Sequence, residues 1–259
     1  MLLTIDCGNT HVVFGIFDHS DLSYSWRIDT LATNNKEHFL EIFKEKLKNL
    51  NLTIKHIKYV ILASVVTEAE TCFNFFEKSL SIPFISISSS LLKLPIEIDL
   101  HEPSQVGADR LVNAVAGSSL TQSDVIIVDF GTATTFDIVD KTGKYVGGLI
   151  CPGINLSLNT LHSAAARLPR IALTKPKNII GKTTVDAMTS GIYFGYVGLI
   201  KYIIEQITTE LSYKTKIILT GGLANLFSEK IGINNVIRVN LTIEGLYLAF
   251  ISSKEIKYD

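Results

Sequence analysis

The chain opens with two short, mostly apolar runs, Leu2 to Ile5 and Val12 to Phe17, separated by Asp6-Cys7-Gly8-Asn9-Thr10-His11. Strand-length apolar segments on either side of an Asp, Gly and Asn cluster predict a β-hairpin. About half a chain later the pattern returns: Val125 to Val128, then Asp129-Phe130-Gly131-Thr132-Ala133-Thr134-Thr135, then Phe136 to Asp140. An internal repeat is the simplest account of this. A third strand is expected after each hairpin, over Leu22 to Ile28 and over Lys144 to Ile150.

Helical spacing follows in both halves. Phe39, Leu40, Phe43, Leu47 and Leu50 form a stripe that predicts a helix over Lys36 to Leu50, and Thr67 to Leu80 predicts the next, after a short buried strand at Tyr59 to Ala63. Later, Ala187 to Leu211 predicts a helix, Lys216 to Leu219 a strand and Ile243 to Ser252 a closing helix. Meandering strands that lead into such crossovers predict an α/β protein of mixed sheets with helices on their faces. The loop-like stretch from Ser88-Ser89-Ser90 to Pro103, or the helix after it, is the expected boundary, giving halves at 1–106 and 107–259.

Composition narrows the function. A formal net charge of -1 with 19% charged residues offers no basic field for a nucleic acid. An acid directly after the first apolar run argues against a signal peptide, and no apolar stretch is read as long enough to span a membrane, so a cytoplasmic protein without membrane contact is expected. The three cysteines, Cys7, Cys72 and Cys151, form no C-x-x-C, and the six histidines form no H-E-x-x-H, so neither a disulfide framework nor a transition-metal site is predicted.

The two acidic turns carry the candidate chemistry. An acid at a strand end, followed by glycine and small polar residues, brings backbone N–H groups close to a ligand and suits phosphate. The carboxylate itself repels phosphate and would instead hold a cation against it, which makes Asp6 and Asp129 cation-side candidates. Gly8 and Gly131 allow close approach, and Asn9, Thr10, Thr132 and Thr134 add short donors. Either turn alone reads equally well as an ordinary hairpin turn; equivalent positions in a repeat favour the ligand site. A third turn, Leu219-Thr220-Gly221-Gly222-Leu223, is either a flat opening for a base or a plain strand-to-helix turn.

Four segments in order, D-x-G-N-T at 6–10, G-A-D-R at 107–110, D-F-G-T-A-T-T at 129–135 and G-G-x-x-x-P-G at 147–153, resemble the type III pantothenate kinases. That family lies within the superfamily of actin-like ATPases and sugar kinases. Leu168-Pro169, Gly181-Lys182-Thr183-Thr184 and Thr220-Gly221-Gly222 extend the likeness. The resemblance implies two duplicated ribonuclease H-like halves and ATP-dependent phosphorylation of pantothenate, the first step of coenzyme A synthesis. It assigns Asp6, Cys7, Gly8, Asn9, Thr10, His11, Val12 and Val13 to the first phosphate loop, with Asp6 on the Mg2+ side, and Thr132 to a second ATP contact. Asp129 would hold potassium or ammonium. Gly107, Ala108, Asp109 and Arg110 would bind pantothenate with Asp109 as base, Thr184 would be a further substrate contact, and the pocket would lie at a homodimer interface.

The bare residues leave a second reading of Asp109 open, as a cap of a helix over Leu111 to Gly117 with Arg110 its solvated neighbour. Two positions depart from the family pattern: Leu100 stands where a tyrosine is common, and Thr67 follows Ser64-Val65-Val66 where proline is common. The competing functions are another small-molecule kinase on the same scaffold and a non-catalytic nucleotide-binding regulator.

Overall fold

The computed structural model describes residues 1–87, 94–121, 123–165, 167–211, 215–232 and 235–253. In chain order the strands and helices are β1 (Leu2–Cys7), β2 (His11–Asp18), β3 (Asp21–Asp29), α1 (Lys36–Asn49), β4 (Tyr59–Ser64), α2 (Thr67–Phe73), α3 (Phe75–Lys78), β5 (Phe84–Ser86), β6 (Glu97–Ile98) and α4 (Ala108–Leu120). There follow β7 (Val125–Phe130), β8 (Ala133–Val139), β9 (Lys144–Pro152), α5 (Ile154–Ala164), α6 (Thr184–Leu211), β10 (Lys216–Gly221), α7 (Ala224–Ile231), β11 (Asn235–Ile237) and α8 (Leu241–Ser252). They form two compact units, Met1–Ser119 with Leu241–Asp259, and Leu120–Asn240. The triple serine of the expected boundary lies outside the described residues. Relative to a cut at 106/107, residues 107–119 and the closing helix go with the first unit, because α4 and α8 supply one wall of its core.

The repeat read from the sequence is present as repeated topology. The first sheet is ordered β3-β2-β1-β4-β5, and the strands of the second unit are ordered β9-β8-β7-β10-β11. In both, the first three strands meander antiparallel and the fourth and fifth add in parallel. Central strands β1 and β7 are covered on both faces, which is why they read as nearly continuous apolar runs. The outer strand β3 alternates between exposed and half-buried residues, as an edge should.

In the first unit, Phe39, Phe43 and Leu47 of α1 lie four residues apart on one helix face and pack on the sheet. Trp26 belongs to this core, its ring stacked 5.0 Å from Phe14. Asn35 caps α1, its side chain accepting the His38 N–H at 3.0 Å. The opposite sheet face is covered by Val112 of α4 and by Ile243, Leu246, Ala249 and Phe250 of α8. Gly245 is where those two helices touch: a Cβ there would run into the Val112 carbonyl.

Three expectations need correction. The helix expected over Thr67 to Leu80 is two helices, α2 and α3, parted at Asn74. The short strands β5, β6 and β11 are not expected from the sequence, since two or three residues are too few to show a period. An apolar stretch of membrane-spanning length does exist: α6 has 28 residues and an 18-residue window of mean hydropathy 1.2. Its buried residues Tyr193, Tyr196, Ile200, Ile204 and Ile207 recur every three or four positions and pack into the core of the second unit, while Lys201 and Glu205 are exposed.

Gly245→Ala is expected to force α4 and α8 apart and to destabilise the protein by about 2–3 kcal/mol, as overpacking does. Urea denaturation of the two proteins measures it; an unchanged midpoint would show that the helix contact yields freely.

Candidate active site

Each acidic turn is built from its central strand outward. Asp6 sits one residue before the end of β1, paired with Val13 of β2 and Ala63 of β4. Asp129 has the same station in β7, paired with Thr135 and Thr220. Both turns close through their glycine N–H, but over different spans: Gly8 donates to the His11 carbonyl at 3.0 Å, three residues on, and Gly131 to the Ala133 carbonyl at 3.0 Å, two residues on.

Around the first turn, Cys7 and Val12 point into the hydrophobic core, so their side chains are unavailable to a ligand. Asp6, Gly8 and Val13 are half-buried, and Asn9, Thr10 and His11 are exposed. His11 lies 3.5 Å from the exposed Asp29 carboxylate. Thr30 donates its hydroxyl to the Gly8 carbonyl at 2.6 Å and its N–H to the Thr10 carbonyl at 3.0 Å. At the adjacent strand end, the Val65 N–H donates to the Cys7 carbonyl at 3.1 Å.

Burial pushes the Cys7 thiol up to about 11, with a hydrogen bond to Ser64 opposing the shift. Cys72, in the same core, is also raised to about 11 by burial.

Gly107 to Arg110 forms the start of α4. The helix begins with the Leu111 N–H donating to the Gly107 carbonyl at 3.1 Å, so Asp109 lies inside the first turn rather than at the capping position. Its Oδ1 accepts the Arg110 N–H at 2.8 Å, the one hydrogen bond of this carboxylate among the described residues. The missing side chain at Gly107 makes room for that conformation, since a Cβ would fall 2.5 Å from Asp109 Oδ1 and 3.6 Å from Val65. Ala63 and Ala108 belong to one core cluster. Val65 directly follows β4, so its closeness to Gly107 puts Asp109, like Asp6, at the carboxyl end of the first sheet, where open α/β sheets bind ligands. Asp109 and Arg110 are half-buried.

In the second unit Asp129 is half-buried and Thr132 exposed. Two glycines from motifs remote in sequence enclose this turn. Gly221, at φ +84°, stands where a Cβ would come 2.5 Å from Asp129 Oδ1 and 2.6 Å from the Phe130 nitrogen. Gly153 lies hard against the carbonyls of Thr132 and Gly131. The room at Gly221 thus goes to the Asp129 carboxylate. Thr134 is fully buried, and its hydroxyl has no hydrogen-bond partner among the described residues. Thr184 is exposed as the first residue of α6, whose start is capped by the Thr183 hydroxyl accepting the Asp186 N–H at 3.1 Å.

Sequence reasoning missed Thr30 and Asp137. Asp137 is fully buried and accepts hydrogen bonds from Tyr145 at 2.8 Å and from Thr135, the cross-strand neighbour of Asp129, at 3.3 Å. The available signal was polar residues alternating through an otherwise apolar strand.

No group of three or more His, Cys, Asp or Glu among the described residues forms a metal cage. A carboxylate beside a glycine turn suits Mg2+, which takes one or two carboxylates and completes its shell with phosphates and water.

The model of the type III pantothenate kinase family matches residues 2–206. The chain belongs to the type III pantothenate kinase family. A type III pantothenate kinase of Roseobacter denitrificans is 40% identical over 258 residues, 98% of this chain and 99% of that one. Among solved structures, a protein provisionally named 2-dehydro-3-deoxygalactonokinase from Sinorhizobium meliloti superposes with a TM-score of 0.59 at 13% identity, covering 100% of this chain and 99% of its own. One provisionally named N-acetylmannosamine kinase, from Listeria monocytogenes, gives 0.56 at 11% identity, with 96% and 98% covered. At such identities the likeness is one of fold, and it places this family member among the actin-like ATPase and sugar kinase folds. The family match takes in both acidic turns, Gly107 to Arg110 and Thr184; Gly221 lies beyond it.

The buried thiols make a pH prediction. A thiol with a raised pKa in the fold stays protonated while the unfolded chain ionises, so stability falls as pH rises from about 9 to about 11, by up to about 2–3 kcal/mol per thiol. Denaturation at pH 8 and pH 10.5 is expected to show this decline, and a Cys7→Ala, Cys72→Ala double variant a flatter one. Equal slopes would mean the thiols are not the cause.

Proposed function

We propose that this chain transfers the γ-phosphoryl group of ATP to the primary hydroxyl of pantothenate, committing it to coenzyme A synthesis. Family membership supports the reaction. The observation that carries the residue assignment is Asp109, held by Gly107 at the carboxyl end of the sheet that also bears Asp6, with one carboxylate oxygen uncommitted.

Phosphoryl transfer asks chiefly for alignment and charge neutralisation. Asp109 accepts the proton of the substrate hydroxyl as it attacks, and Arg110 supplies a planar fork for the substrate carboxylate. Gly107 and Ala108 line the same segment, and Thr184 adds a contact. The first turn, Asp6 to Val13, meets the phosphates through its backbone, because Cys7 and Val12 face the core. Thr132 makes a second nucleotide contact. Asp6 would hold Mg2+, which when bound offsets phosphate charge, and Asp129, boxed in by Gly221, would hold a monovalent cation, potassium or ammonium.

We further propose a cytoplasmic homodimer acting on a small molecule, with no nucleic acid or membrane as partner. Support for a second copy comes from one side of the second unit. Ile179, Ile180, Val185 and Tyr202 are 69%, 70%, 46% and 63% exposed, and Gly191, Gly195 and Gly198 leave one face of α6 open. Leu100, where the family pattern has tyrosine, is the residue that would accommodate a different acceptor, and acceptor competition tests it.

Wild-type protein is expected to release ADP in a pantothenate-dependent manner with ATP, Mg2+ and potassium. Asp109→Asn is expected to lower kcat by about a hundredfold or more while nucleotide affinity stays within about twofold. Absence of pantothenate-dependent turnover overturns the substrate, and an unaltered Asp109→Asn rate overturns the base. Light scattering should give twice the chain mass for wild type and a shift toward one chain for Gly195→Glu; a monomeric wild type rejects the dimer.

A further inference from the structure

In the first unit the register pairs His11 with Asp29, and in the second Ala133 with Pro152. The residue that follows the third strand is therefore Thr30 in one and Gly153 in the other, and each meets its acidic turn on the carbonyl side. Gly153 does so by bare backbone contact with the carbonyls of Gly131 and Thr132. Thr30 does so by two hydrogen bonds, hydroxyl to Gly8 carbonyl at 2.6 Å and N–H to Thr10 carbonyl at 3.0 Å. Thr30 is 6% exposed and is itself fixed by Thr33, whose hydroxyl donates to the Thr30 carbonyl at 2.7 Å.

A carbonyl oxygen turned toward a phosphate repels it, and an amide N–H attracts it. Which way the peptide groups of a five-residue turn face thus decides whether the turn accepts an anion. A threonine spends one hydroxyl proton and one amide proton here, both on carbonyls of the same turn. The start of α1 is capped by Asn35, so this hydroxyl is not spent on that helix.

We propose that Thr30 is a positioning residue for nucleotide binding: it holds the Gly8 and Thr10 carbonyls away from the phosphates and so fixes the peptide orientation of the first acidic turn. The inference rests on the reading of that turn as a phosphate loop.

Thr30→Val keeps the shape and the backbone bond and removes the hydroxyl donor; Thr30→Ser restores the donor. Steady-state kinetics with ATP and pantothenate, and calorimetric titration with a non-hydrolysable ATP analogue, separate the outcomes. Thr30→Val is expected to raise the ATP KM and the analogue Kd about tenfold, with the pantothenate KM within about twofold, and Thr30→Ser to return both to within about threefold of wild type. Thr30→Cys, a weak donor of similar shape, is made alongside in case the valine variant does not fold, and is expected to weaken nucleotide binding about fivefold. Unchanged nucleotide constants in the folded variants overturn the proposal, as do equal rises for ATP and pantothenate or a serine variant as weak as valine. A wild-type protein that does not bind the analogue overturns instead the phosphate-loop reading beneath it.

Discussion

Each unit is organised around a central strand whose register is fixed from both sides. β1 is locked antiparallel to β2 and parallel to β4, and β7 likewise to β8 and β10. A one-residue slip in a strand exchanges its two faces. In β1 such a slip would send Asp6 into the phenylalanine-rich core and bring Cys7 out in its place. Burying an unpaired carboxylate costs several kcal/mol, so the core itself enforces where the acid emerges. The position of the candidate chemistry is in this sense a product of packing.

The same plan appears twice with different local solutions. The first turn is held by hydrogen bonds from a threonine and the second by glycines pressed against it. In the first core the rings of Trp26, Phe39 and Phe43 all gather on Phe14, and in the second Phe130, Phe227 and Tyr193 stack beside the isoleucines of one long helix. What is shared is strand order and the station of the acid. This fits a family in which the site is set by backbone geometry and the cores are free to diverge.

The outline of both sheets was legible because Leu2 to Ile5 and Val125 to Val128 are mostly apolar runs followed by the same Asp-x-Gly punctuation. Lys36 to Leu50 was legible because an amphipathic helix writes its stripe into the sequence. The break at Asn74 was not, since Asn74 carries no proline or glycine signal and the helical stripe runs through it. The apolarity of α6 is hard to read because exposed polar residues such as Lys201 and Glu205 alternate with glycines and exposed apolar side chains on the surface away from the core. Within the site, the glycines at 107, 153 and 221 were visible as motif members, but what each makes room for depends on neighbours brought in by folding. Thr30 was hidden for a related reason, and Asp137 showed only as a polar step in an apolar strand: a hydroxyl or carboxylate shows its partner only when distant strands meet.

The first unit is discontinuous: its sheet comes from the beginning of the chain, while α8, which covers Leu2, Phe17 and Ile61, comes from the end. On the ribosome, that face of the sheet has only α4 to cover it until the entire second unit has emerged. The amino-terminal strands must wait with one greasy side half open. The molecule matures as a whole rather than half by half, and any shortened product lacking the final helix would be a target for chaperones.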